Sequence, residues 1–175
     1  KAFCEIMLGF GCRVLAHDIF EQEVLKQKGV NYLPLDEVLM QSDILSLHCP
    51  LLPETHHLIN KDSLTKMKQC AMLINTSRGG LLNTQDVIES LKARHLGYLG
   101  IDVYEQEAGI FFRDLSESII EDDTISRLLT FPNVIITGHQ GFFTKEALEQ
   151  IAVTTLNSLT AIESGQPLDE KVVIV

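Results

Sequence analysis

Two patterns of apolar and polar positions alternate along the chain. Short apolar runs lie at residues 13–17, 31–33, 44–47, 71–75, 97–103 and 133–137. Several are nearly continuous rather than alternating, which predicts strands covered on both faces, as in a parallel sheet. Amphipathic stretches with helical spacing fill the gaps. Residues 84–94 carry Val87, Ile88 and Leu91 on one face, with Asn83 in front as an N-cap. Asn60 stands in the same position before 61–68. Residues 144–164 predict one long helix with Ala147, Leu148, Ile151, Leu156, Leu159 and Ile162 apolar, and a tail follows at 165–175. Strand and helix in alternation give right-handed crossovers and a Rossmann-like, doubly wound parallel sheet of the α/β class.

Two stretches break the alternation. Residues 109–129, GIFFRDLSESIIEDDTISRLL, form an aromatic and acidic insertion, and insertions of this length are usually functional or carry short helices. At the start, residues 1–8 are helical in pattern and stop at Gly9 and Gly11, and the strand at 13–17 is followed by Asp18. A dinucleotide-binding unit places a strand and a G-x-G-x-x-G turn immediately before that helix. Neither is found in these residues. GFGCRV at 9–14 has the first two glycines but precedes a strand, so its expected work is to end a helix and turn the chain.

Composition narrows the class. A length of 175 residues suits one domain with a sizeable core. The net charge of −10 argues against nucleic acid or an anionic membrane as partner. Cys4, Cys12, Cys49 and Cys70 show no CxxC pairing and no metal-ligand spacing with histidine. They are expected as small buried hydrophobes in a reducing cytoplasm, with no metal. The longest stretch without charge, 128–144, is interrupted by Pro132, Gly138 and Gly141 and is too short to span a membrane. No signal-peptide pattern is expected.

Three polar residues each follow an apolar run. Arg78 follows AMLINTS, Glu107 lies five residues past Asp102 in LGIDVYEQE, and His139 follows NVIITG. In open α/β sheets the carboxyl edge of the strands is where ligands bind. A guanidinium, a carboxylate and an imidazole there suit reduction of a 2-keto acid. The planar fork of an arginine matches a carboxylate. A histidine can protonate the keto oxygen, and a glutamate on its other ring nitrogen fixes the tautomer and favours imidazolium. Each has a plainer alternative, a strand-ending histidine or a surface arginine. The residues alone do not separate Glu107 from Glu105. Asp18 stands where a dinucleotide unit carries its ribose-binding acid, which favours NAD over NADP, and it equally suits an N-cap for a helix beginning near Glu21. His56 and His57 lie in a polar loop and are expected in solvent. His95 follows a helix whose dipole it suits, and His17 and His48 end strands with no assigned chemistry.

The segments HCPLLPETHHLIN, MLINTSRGGLLNTQDVIESL, LGIDVYEQE and NVIITGHQGFFTKEAL together resemble the D-isomer-specific 2-hydroxyacid dehydrogenases, and among them the bacterial fermentative D-lactate dehydrogenases. The likeness covers essentially the whole chain. It implies a two-domain subunit with an NAD-binding domain inserted into a substrate domain. Residues 1–141 would be the NAD-binding domain without its first strand and glycine turn, and 142–175 the C-terminal helix and tail belonging with the substrate domain. It implies NAD as cofactor, pyruvate and D-lactate as the 2-keto and 2-hydroxy acid pair, and a homo-oligomer at full length. These residues on their own are expected to be inactive. Arg78, Glu107 and His139 match the catalytic residues, and the family's spacing from Asp102 selects Glu107 over Glu105. Cys49 and Pro50 match the adenine-side loop, Thr55 a nearby cofactor contact, Thr76 and Ser77 the turn into Arg78, and Asp102 the nicotinamide end. The insertion resembles the lactate-type branch. A dehydrogenase for a bulkier 2-hydroxy acid, and a non-catalytic NAD-binding module or truncated remnant, are the competing functions.

Overall fold

A computed structural model describes residues 1–111, 114 and 119–168. Its contacts form two compact units, Lys1–Gly138 and His139–Val175. The first unit alternates as the pattern predicts. In order it contains α1 (Ala2–Gly9), β1 (Leu15–Ala16), α2 (Glu23–Gln27), β2 (Asn31–Tyr32), α3 (Leu35–Gln41), β3 (Ile44–Leu47) and α4 (Lys61–Lys66). Then come β4 (Ala71–Asn75), α5 (Thr84–Lys92), β5 (Leu96–Ile101), α6 (Asp123–Leu129) and β6 (Val134–Ile136). Short 3₁₀ turns at Gly79–Leu81 and Glu107–Gly109 follow β4 and β5.

Every strand pairing is parallel, and the architecture is Rossmann-like α/β. The sheet is not continuous, however. β1 pairs with β2, and β3-β4-β5-β6 form a separate four-stranded ladder. The break falls between β1 and β3, where a doubly wound sheet reverses its winding and carries its first strand. Packing joins the two parts: Leu15, Leu33 and Leu35 lie on the main core, and the Phe3 ring stands 4.8 Å from that of His48.

That core explains the apolar runs. Leu39, Ile59, Leu73, Leu81, Val87, Leu96 and Leu128 are fully buried in one cluster. Val87, Ile88 and Leu91 turn one face of α5 into it, each contributing roughly 1.5–3 kcal/mol by burial. Asn83 caps α5 by accepting from the Asp86 amide, and Asn60 forms a capping box with Ser63 at the start of α4. GFG ends α1 as expected. Gly11 sits at φ +77°, and the amides of Gly11 and Cys12 donate back to the carbonyls of Leu8 and Met7.

The cysteines correct their expectation. Cys12 and Cys70 are exposed, and Cys4 and Cys49 only half-buried. Cys70 occupies a left-handed turn (φ 64°) that leads into β4, and Cys12 follows the Gly11 turn. Apolar neighbours in sequence do not bury a side chain that stands on a turn.

In the second unit Thr144 caps α7 (Lys145–Glu163) by accepting from the Ala147 amide. Leu148, Ile151, Leu156, Leu159 and Ile162 are exposed along it. Among the described residues no helix is long and apolar enough to cross a membrane. The insertion expected at 109–129 falls partly on 112, 113 and 115–118, and the tail on 169–175, outside the described residues. The far end of the insertion is α6.

Candidate active site

The loops after β3, β4 and β5 are fastened to one another by polar side chains. Asn75 closes β4 and is completely buried. Its Oδ1 accepts from the Ser77 amide at 3.1 Å, and its Nδ2 donates to the Arg78 carbonyl at 2.9 Å. Its own carbonyl accepts from the Asp102 amide at 3.0 Å. This Asx turn closes NTSR and leaves the Arg78 side chain exposed, with Nη1 donating to the Ser77 carbonyl at 2.7 Å. Thr76 is exposed beside it. Ser77 Oγ donates to the Cys49 carbonyl at 2.7 Å, joining the β3 loop to the β4 turn. Thr55 closes that loop, donating to the Pro50 carbonyl at 2.7 Å and accepting from the Leu52 amide at 2.8 Å.

Asn75 escapes sequence reading because it looks like the last residue of a strand. Asn75→Ala would leave the Ser77 amide and the Arg78 carbonyl without their partner. The expected cost is about 2–3 kcal/mol, read as a lower urea midpoint at unchanged slope.

The Arg78 turn and the Glu107 loop touch directly. A Cβ on Gly79 would stand 2.1 Å from the Tyr104 carbonyl carbon and 2.4 Å from the Glu105 nitrogen, so only glycine fits. Glu107 Oε2 accepts from the Tyr104 amide at 2.9 Å. Tyr104 Oη donates to both Asp122 oxygens at 3.0 and 2.8 Å, and Asp122 caps α6. Burial and that carboxylate push the Tyr104 phenol well above its ordinary range. The far end of the insertion is thereby pinned to the β5 loop.

Glu105 and Glu107 have different surroundings. Glu105 Oε1 accepts from His57 Nε2 at 2.8 Å, while Oε2 accepts from the Thr84 amide at 3.0 Å and from the Thr84 hydroxyl. Burial raises the Glu105 carboxyl, but the Thr84 and His57 hydrogen bonds outweigh it and hold the group below its ordinary value. His57 is therefore not a solvated loop histidine. It sits at φ 51° with its ring committed to Glu105, and His56 stacks on it at 3.9 Å between centroids. His95 also has a partner: its Nε2 lies 2.9 Å from the Leu64 carbonyl in α4.

On the nucleotide side, Asp18 Oδ1 accepts from the Phe20 amide at 3.0 Å. α2 starts only at Glu23 behind Gln22, so Asp18 does not cap it. Burial pushes the Cys49 thiol up, and the Asp18 carboxylate adds to the shift. At the other end Asp102 accepts from the Thr137 hydroxyl just past β6. An exposed acid, an apolar Cys49 and Pro50 edge, and polar groups toward Asp102 fit a dinucleotide laid along the carboxyl ends of the strands.

His139 opens the second unit. It is half-buried and holds φ 52°, a left-handed conformation uncommon for a residue with a side chain. Such backbones cluster at functional sites. Among the described residues no group of His, Cys, Asp and Glu is arranged to hold a metal.

Comparison with known proteins agrees with this layout. Residues 1–141 match the family model described as D-isomer specific 2-hydroxyacid dehydrogenase, NAD binding domain. A 2-hydroxyacid dehydrogenase homolog of Zymomonas mobilis is 49% identical over 175 residues, covering 99% of this chain and 53% of its own length. The structure of the pyruvate reductase of Chlamydomonas reinhardtii superposes with a TM-score of 0.91 at 42% identity, over 95% of this chain and 51% of that one. A D-lactate dehydrogenase from Aquifex aeolicus, complexed with NAD and lactic acid, gives a TM-score of 0.85 at 36% identity, over 93% and 49%. The chain spans about half the length of the curated relatives it matches. A parallel sheet whose carboxyl edge carries Asp18, Arg78, Asp102 and Glu107, matched along 141 residues, leaves one assignment: the chain belongs to the D-isomer specific 2-hydroxyacid dehydrogenases and contributes their NAD-binding domain.

Proposed function

We propose that this chain is the NAD-binding and proton-transfer part of a D-lactate dehydrogenase, reducing pyruvate to D-lactate. The observation that carries the reading is the Asn75-locked turn, which presents Arg78 while the adjoining Gly79 packs against the loop bearing Glu107. Arg78 grips the substrate carboxylate through its planar fork. His139 donates the proton that the keto oxygen takes up, and Glu107 stabilises the imidazolium before the transfer. When bound, NADH supplies the hydride that goes to the keto carbon, so pyruvate, NADH and one proton give D-lactate and NAD. Asp18 holds the adenosine ribose, Cys49, Pro50 and Thr55 border the adenine side, and Thr76, Ser77 and Asp102 line the path to the nicotinamide.

Residues 142–175 belong with the substrate domain in this reading, supported by the exposed apolar positions of α7 and by the family model's end at residue 141. A homo-oligomer in the cytoplasm completes it, in keeping with four free cysteines and the absence of a membrane-spanning helix among the described residues.

The test is NADH oxidation by the protein at its natural length across a panel of 2-keto acids. Pyruvate is expected to give the highest kcat/KM. A branched-chain 2-keto acid in first place would replace lactate by a bulkier substrate, and no oxidation with any acid would leave a non-catalytic dinucleotide module. The same assay probes Asp18. NADH is expected to outperform NADPH, and Asp18→Ala to shrink that preference roughly tenfold, about 1.4 kcal/mol, by removing the repulsion of a 2′-phosphate. Equal use of both cofactors by the unsubstituted protein would end the ribose assignment.

A further inference from the structure

We infer that Glu105 is a positioning residue, the tether that holds the Glu107 loop in its working place. The inference rests on the dehydrogenase reading above. Glu105 reaches three elements with one carboxylate. Oε1 binds His57 in the loop after β3, 2.8 Å away, and Oε2 binds both the amide and the hydroxyl of Thr84 at the start of α5. His57 is itself anchored on both sides. Its amide donates to the Gly80 carbonyl at 2.8 Å, and its carbonyl accepts from Asn60 Nδ2 at 3.0 Å. His57 holds a left-handed backbone at φ 51° while its ring meets Glu105.

The tether acts two residues before Glu107 and joins that segment to the loop after β3 and to the start of α5. Tyr104 fixes it toward Asp122, and Gly79 packs against the peptide joining Tyr104 and Glu105. Arg78, by contrast, has its own lock in Asn75 and Ser77. Releasing Glu105 therefore lets the Glu107 segment shift while the Arg78 turn stays. Positioned proton transfer is sensitive to such a shift, whereas substrate binding through Arg78 is not. Glu105 keeps no contact of its own with the substrate in this scheme. It works through Glu107.

The kinetic signature follows. In the protein at its natural length, Glu105→Ala is expected to lower kcat for pyruvate reduction about tenfold, with KM for pyruvate little changed. The upper limb of the pH profile should move to lower pH by less than in Glu107→Gln, because the Glu107 charge remains but is no longer held in place. His57→Leu, which leaves the Thr84 bonds in place, should cause a smaller loss of the same kind, the double variant should be no worse than Glu105→Ala alone, and His57→Gln, which keeps an amide donor for Glu105, should recover most of the rate. A second readout needs no turnover: amide hydrogen exchange at Thr84 should run about tenfold faster in Glu105→Ala, with the folded state checked by circular dichroism. If Glu105→Ala unfolds, the His57 pair carries the kinetic test alone.

Unchanged kcat in folded Glu105→Ala or His57→Leu would overturn the tether, as would additive losses in the double variant. A pH limb displaced by a Glu105 variant as far as by Glu107→Gln would overturn it too, by making Glu105 the partner of the proton donor. Absence of pyruvate reduction in the unsubstituted protein would instead defeat the dehydrogenase reading, and the exchange rate of Thr84 would still decide whether the tether exists.

Discussion

His139→Ala is expected to slow pyruvate reduction by about 10²–10⁴ at every pH, while NADH binding, followed by fluorescence titration, stays as in the unsubstituted protein. In the proposed mechanism the imidazole is asked only to deliver a proton, and holding a dinucleotide does not call on it. Glu107→Gln separates the two members of the pair. Glutamine keeps a polar partner for the ring but removes the negative charge, so imidazolium loses its counter-charge and gives up its proton at lower pH. Reduction needs the protonated ring, so the upper limb of kcat/KM against pH should move to lower pH. A His139→Ala enzyme with near-normal turnover, or a Glu107→Gln profile that coincides with the unsubstituted one, would remove these residues from the proton path.

Arg78→Gln is expected to cost about 3–4 kcal/mol in kcat/KM, roughly 10²–10³-fold. The loss should fall on KM and kcat together, because the proposal has Arg78 hold the substrate carboxylate both before and during the reaction. Glutamine can offer one hydrogen bond but neither charge nor a fork. Arg78→Lys restores the charge alone and should recover only part of the loss, since a point charge does not reproduce two parallel N–H bonds. The control is stability: the side chain of Arg78 is exposed, and the turn beneath it is made by its backbone. An unchanged urea midpoint in both variants is therefore expected. An Arg78→Gln enzyme with unchanged KM for pyruvate would show that the substrate carboxylate is gripped elsewhere.

Strands and helices were legible wherever burial and capping are written locally. Ile44–Leu47 and Ala71–Asn75 coincide with the expected strands. Only one face of each is fully buried, through Leu45 and Leu47 and through Ala71, Leu73 and Asn75, while the other face is partly open and exposes Ile44. α5 was legible from a cap and three apolar residues at helical spacing. The expected strand at 13–17 shrinks to Leu15–Ala16, since its length depends on a neighbour and not on its own residues. The position of Arg78 could be read because a strand end and a glycine pair announce it. The division of labour between Glu105 and Glu107 could not. What commits Glu105 is His57, 48 positions away, and Thr84, 21 away, and no local spacing encodes either. For the same reason His57 read as a solvated loop residue and Asn75 as a strand end. Cys70 read as core because its neighbours are apolar, and a left-handed turn reversed that.

The fastenings around Arg78 share a property that bears on how such a site changes over generations. Asn75 grips a carbonyl and an amide, Ser77 a carbonyl, and Thr55 a carbonyl and an amide. All of these partners are main-chain groups, carbonyls that every residue type carries and amides that all but proline carry. The clamps are therefore blind to the side chains they present at Arg78, Cys49 and Pro50. Mutation can exchange what the loops display without loosening the loops, so new substrate preferences are reachable in single steps from a frame that stays intact.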